Sequence, residues 1–160
     1  MEPAGQLRIP PAQAPSNQSL LQIVVLYCGG ERATAEALRH AWSLAQGLQA
    51  QIRILALFCV PYVLPADQPP VSLAFRAEQM VRVMAAAGVE DTDVLVDVRT
   101  CRDECDALRQ ILPAGSIVVI GGSRWPWLPS RANRIARTLR AAGHHVIRPS
   151  LPDRKDPAHA

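Results

Sequence analysis

Aromatic residues make up only 4% of this 160-residue chain, so its core has to be packed by Val, Ile, Leu and Ala. Long apolar runs are missing too. None approaches the roughly 20 residues that a membrane-spanning helix needs. The first nineteen residues hold Pro3, Pro10, Pro11 and Pro15 but no apolar stretch suited to a secretory signal. No C-x-x-C motif occurs, and Cys101-x3-Cys105 is a weak spacing for redox or metal chemistry. Four cysteines in a chain able to build its own core read as reduced thiols, not as a disulfide framework. A net charge of +3 is too small to argue for nucleic acid or a membrane surface. These absences lead to the expectation of a cytoplasmic protein that binds no membrane and no specific nucleic acid.

What is present is 49% hydrophobic content in a length that suits one core. Residues 1–19, rich in Pro, Gln and Ala, read as a disordered or loosely attached tail, and residues 150–160 look similar. Between them lies one domain, 20–149, without internal repeats. Charge is uneven: from Gly122 onward there are seven Arg and one Lys against two Asp, leaving the remainder slightly acidic.

Inside the domain, short apolar runs alternate with helical periods. Leu21 to Cys28 and Ser116 to Ile120 are apolar runs, and Ile52 to Val60 is a further buried strand stopped by Pro61, as expected of strands buried on both faces. Thr34 to Ala50 places Leu38, Ala41, Ala45 and Leu48 at helical spacing. A proline-rich loop leads to a helix near 71–87, with Ala77, Val81 and Met84 inward and Gly88 after its end. Asp93 to Arg99 puts Val94, Val96 and Val98 on one face while Asp97 interrupts the other, which suggests a poorly covered edge strand. Residues 100–103 form a capping start for a short helix that ends before Pro113. A last helix over Ser130 to Ala142 feeds a strand at His145 to Arg148. The order β-α-β-α-β-α-β-α-β implies a single doubly wound α/β fold: five parallel strands with helices on both faces. In such sheets ligands sit beyond the carboxyl ends of the strands, near the reversal of strand order. That crevice is lined by Cys28 to Gly30, Cys59 and Val60, Arg99 to Cys101, and Gly121 to Arg124.

At those turns the sequence resembles the universal stress protein family, within the adenine nucleotide alpha hydrolase-like folds. Residues 23–31, Ile-Val-Val-Leu-Tyr-Cys-Gly-Gly-Glu, are similar to its opening strand, an apolar run closing in Asp-Gly-Ser. Residues 52–60 resemble its second strand, and residues 111–124 the strand entering its glycine-rich loop. In ATP-binding members an acid ends the first strand, a Val on the second meets adenine, and G-x2-G-x9-G-[ST] cradles ribose and phosphates. Here Cys28, followed by Gly29, holds the acid's slot, Val60 matches the Val, and Gly122 the first loop glycine. Trp125 stands in place of the second glycine, and no Gly-Ser or Gly-Thr pair follows. Pro126 and Pro129 remove backbone donors, while Trp125 adds bulk where a phosphate needs close approach. Gly122, Ser123, Arg124 and the helix start at Ser130 still offer donors to a weaker anion site.

The resemblance, with these departures, implies a non-enzymatic stress-response or regulatory binding module with a degenerate ATP site and no resident cofactor or metal. It also implies a homodimer through the last strand, His145, Val146, Ile147 and Arg148, with an unidentified protein or small-molecule ligand. One alternative is an ATP-binding member with a remodelled loop and slow hydrolysis. Another is a thiol sensor built on Cys28, Cys59 and Cys101, against which stands the reading of Cys28 and Cys59 as small buried hydrophobes. A Cys–His nucleophile is disfavoured. His144 and His145 precede a parallel strand, and Cys28 ends one, so a strand length of roughly 17–20 Å separates them. Arg131, Arg134, Arg137 and Arg140 form either an anion surface or a solvated helix face. The segment Trp125 to Pro129, with two of the three tryptophans, would fill the crevice, stack on a ligand or anchor a partner.

Overall fold

The computed structural model describes residues 6–9, 21–65, 67–90, 94–122 and 129–149. In chain order these form β1 (Gln6–Ile9), β2 (Gln22–Leu26), α1 (Glu31–Leu48), β3 (Gln51–Cys59), α2 (Leu73–Ala87), β4 (Val94–Cys101), α3 (Glu104–Ile111), β5 (Ile117–Ile120), α4 (Arg131–Ala141) and β6 (His145–Ile147). One sheet runs β1-β4-β3-β2-β5-β6. Strands β2 to β6 are mutually parallel, as the helix-length connections require. The strand order reverses between β2 and β5, which places the crevice at their carboxyl ends.

Each apolar run is buried on both sides because helices cover both faces. Ile23, Val25, Ile52, Ile54, Val96 and Val98 pack with α1 and α2. Val24, Leu26, Leu55, Leu57, Val118 and Ile120 pack with α3 and α4. The scarce aromatics are used locally: the Tyr27 and Phe58 rings lie 5.8 Å apart, and Arg76 sits 4.1 Å over Phe58. Helix starts follow their capping residues. Ser72, Asp103 and Ser130 each accept from the backbone N–H three residues on.

Several expectations need correction. Residues 6–9, assigned above to a loose tail, form a sixth strand, antiparallel to β4, with Leu7 opposite Val98 and Ile9 opposite Val96. Strand β4 is therefore not an edge. Its Asp97, read as a mark of poor cover, is fully buried and takes hydrogen bonds from Arg53 and Arg99. Burial alone would raise the Asp97 pKa. The hydrogen bonds from Arg99 and Arg53 overcome it and hold the carboxyl below its ordinary range. In α2 the inward residues are Ala77, Met80, Val83 and Met84, while Val81 is exposed. Leu48, at the end of α1, is exposed as well.

Candidate functional site

The crevice between β2 and β5 is built on close backbone contact. Beyond β2 the chain turns through Gly29 (φ 78°) and Gly30 (φ 93°), left-handed conformations that favour glycine. Gly30 is the N-cap of α1 and, having no side chain, leaves the first-turn N–H groups without a side-chain cap. Beyond β5, Gly121 packs directly on α1. A methyl group there would lie 2.0 Å from the Ala33 carbonyl oxygen. Gly122 (φ 116°) approaches Gly29, whose own methyl would stand 3.5 Å from the Gly122 Cα. The geometry thus brings Gly29 and Gly122 together.

Cys28, in the acid's slot, is fully buried. Burial pushes its thiol up, against the nearby positive charge of Arg131 and Arg148. Arg131 opens α4 and is bound through Nε to the buried Glu104 at 2.9 Å, with Nη2 on the other carboxylate oxygen. That hydrogen bonding raises the Arg131 pKa further, so the charge is permanent. Arg131 is therefore more than one member of a solvated arginine stripe. All four arginines of that stripe are exposed, but Arg131 is the one whose guanidinium is held by Glu104. Arg148 lies one residue past β6 and turns back over the sheet end. Its Nη1 donates to Asn133 Oδ1 at 2.8 Å, and its Nη2 would be 3.9 Å from a methyl on Gly122. Ser130 caps α4 through Oγ, accepting from Asn133 N at 3.1 Å. Two helix starts and two arginines therefore converge on one strand-end crevice, an arrangement that suits an anion.

Val60 is buried and belongs to a different neighbourhood. Its N–H donates to the Cys101 carbonyl at 2.8 Å. Its own carbonyl takes Arg102 Nη1 at 3.1 Å, and Arg102 also reaches the carbonyls of Pro61 and Leu64. Cys59 is exposed, which corrects its reading as a buried hydrophobe, and its Sγ lies 3.6 Å from Cys101 Sγ. Cys28 alone fits that reading. Ser123, Arg124 and the Trp125 to Leu128 part of the tryptophan segment lie outside the described residues. Sequence reasoning missed Arg148 as a crevice residue and Glu104 as the anchor of Arg131. The acid in the first turn of α3 was the available signal for the second. His144, at the amino end of β6, accepts from the Ser116 N–H at 3.2 Å, so it serves the far end of the sheet. Among the described residues no cluster of three or more His, Cys, Asp or Glu could hold a metal ion. None of the described helices is long and apolar enough to cross a membrane.

Compared as a sequence, the chain matches no protein-family model and no curated protein. Compared as a structure, it is similar to a universal stress protein from Archaeoglobus fulgidus, with TM-score 0.55 and 16% identity over 80% of this chain and 92% of that one. It is also similar to a protein of the universal stress protein family from Burkholderia pseudomallei, with TM-score 0.50 and 22% identity over 81% of this chain and 96% of that one. This chain has the universal stress protein fold. Within that fold, Cys28 lies buried just beyond β2, at the β2–β5 reversal. The antiparallel strand β1 lies at the far edge of the sheet, beyond β4.

Proposed function

We propose that this chain is a non-enzymatic binding module of universal stress protein type, cytoplasmic, regulatory or stress-responsive, and homodimeric through β6. Its crevice takes an anionic group of a ligand or partner in place of ATP. The observation that carries this reading is the fully buried Cys28 in the acid's slot, with the charges of Arg131 and Arg148 bearing on it. A thiol sulfur is only a weak acceptor for the hydroxyl hydrogen bonds that a carboxylate takes from a nucleotide, and the surrounding charge favours an anion. Dimerisation through β6 is supported by its place at the end of the sheet, with β5 as its neighbour. His145 is exposed, and Val146 and Ile147 are half-buried. Such an edge is a template for a second copy.

A thermal-shift titration tests the reading. Inorganic phosphate and tripolyphosphate should stabilise the full chain, and Arg148→Ala should lose that effect. ATP with Mg²⁺ should do no better than tripolyphosphate. A clear additional stabilisation by ATP would overturn the proposal. The dimer requires a melting temperature that rises with protein concentration, and a concentration-independent one would remove it.

A further inference from the structure

The carboxyl ends of β3 and β4 carry a feature that the anion crevice does not use. Cys59 and Cys101 are register partners on adjacent parallel strands, so their side chains leave the sheet on the same side. Their sulfurs stand 3.6 Å apart. Neighbouring strands lie about 4.8 Å apart, inside the Cα spacing of about 4.4–6.8 Å that a disulfide accepts. Closing the remaining gap to an S–S bond of about 2.0 Å takes side-chain rotation and no strand movement. Cys59 is exposed and Cys101 half-buried, so a small oxidant reaches the pair from solvent. The other two thiols are placed differently. Cys28 is fully buried, and Cys105 has its Sγ 4.0 Å from Thr138 Oγ1 on α4.

We propose that Cys59 and Cys101 form a peroxide-reactive dithiol that closes to a reversible disulfide at the end of β3 and β4. The assignment is independent of the anion reading. Cys59 reacts first because it is the exposed sulfur of the pair. Burial and the hydrogen bond with Cys59 push the Cys101 thiol up to about 12, so Cys101 stays protonated beside its neighbour's sulfur. In the first step the Cys59 thiolate attacks a peroxide oxygen, forming Cys59 sulfenic acid and releasing hydroxide. In the second step the Cys101 sulfur attacks the Cys59 sulfur and displaces its oxygen as water, the Cys101 proton leaving with it. One peroxide is reduced to two waters, and two thiols are oxidised to one disulfide. A thiol reductant returns both thiols by exchange. The bond fastens the two strands immediately before the 60–65 loop, whose carbonyls Arg102 already holds.

The test is peptide mapping of the full chain after brief exposure to stoichiometric hydrogen peroxide, followed by alkylation. The expected result is one intramolecular disulfide joining Cys59 to Cys101, with loss of two hydrogens in the intact mass, reversed by dithiothreitol. Cys101→Ser should leave a sulfenic acid on Cys59 that dimedone traps, and Cys59→Ser should abolish the reaction. Serine at these sites removes little packing, and an unchanged melting temperature shows that each variant is folded. Free, alkylatable Cys59 and Cys101 after peroxide treatment would overturn the proposal. So would a bond mapped to Cys28 or Cys105, or one that forms only between chains.

Discussion

The β1–β4–β3 side of the sheet carries buried charge and, at its strand ends, reactive sulfur. Asp97 lies between Arg53 and Arg99, and beyond it the Cys59–Cys101 pair and the Arg102 clamp close the strand ends. On the β2–β5 side the strands themselves are apolar, and shape does the work: Gly121 lies against the Ala33 backbone, and Gly29 approaches Gly122. The same residue type meets opposite fates on the two sides. Cys28 is sealed in, whereas Cys59 faces solvent. One side thus depends on protonation and redox state, and the other on the volume of a few side chains. Among the described residues, positive charge enters the second side through Arg131 and Arg148, which come from α4 and from beyond β6.

The largest expected effect lies on the charged side. Asp97→Asn leaves Arg53 buried without its counter-ion and should cost about 3–5 kcal/mol of folding stability at neutral pH, read by urea denaturation. A loss under 1 kcal/mol would show that the triad is dispensable. Gly121→Ala probes the other side. Its methyl meets backbone that cannot swing away, so the loss should be about 1–3 kcal/mol and the same at every pH.

That difference gives the third test. The folded pKa of Asp97 is depressed, so its contribution is fully present above the ordinary carboxylate value of about 3.9. It is lost as pH falls through the lower, folded value. The gap between wild type and Asp97→Asn should therefore shrink in that acid window, while the gap for Gly121→Ala stays constant. Equal pH profiles for the two variants would erase the distinction between the halves. The smallest effect is local: Ser130→Ala removes the α4 cap and should cost about 1 kcal/mol in a thermal melt.

Much of the fold was legible because strands buried on both faces write continuous apolar runs. Leu21 to Cys28 could be placed within a residue or two on that pattern, and so could Ile52 to Val60, although Arg53 interrupts its apolar residues. The β1 strand was not, since four residues in a proline-rich polar segment gain their stability from pairing with β4, a contact across nearly ninety positions. Asp97 was misjudged for a related reason. Arg53, its partner, lies 44 residues earlier, and a sequence shows the charge without the pairing. The glycines of the crevice were legible because a left-handed turn leaves few other residues available. The approach of Cys59 to Cys101 depends on strand register, and that of Arg148 on a chain reversal after β6. Neither leaves a local signature.

Native mass spectrometry of freshly purified full-length protein tests the central claim most directly. The account predicts a dimer whose mass equals two polypeptides with no bound nucleotide. A monomer across the accessible concentration range, or a species carrying ATP, would contradict it.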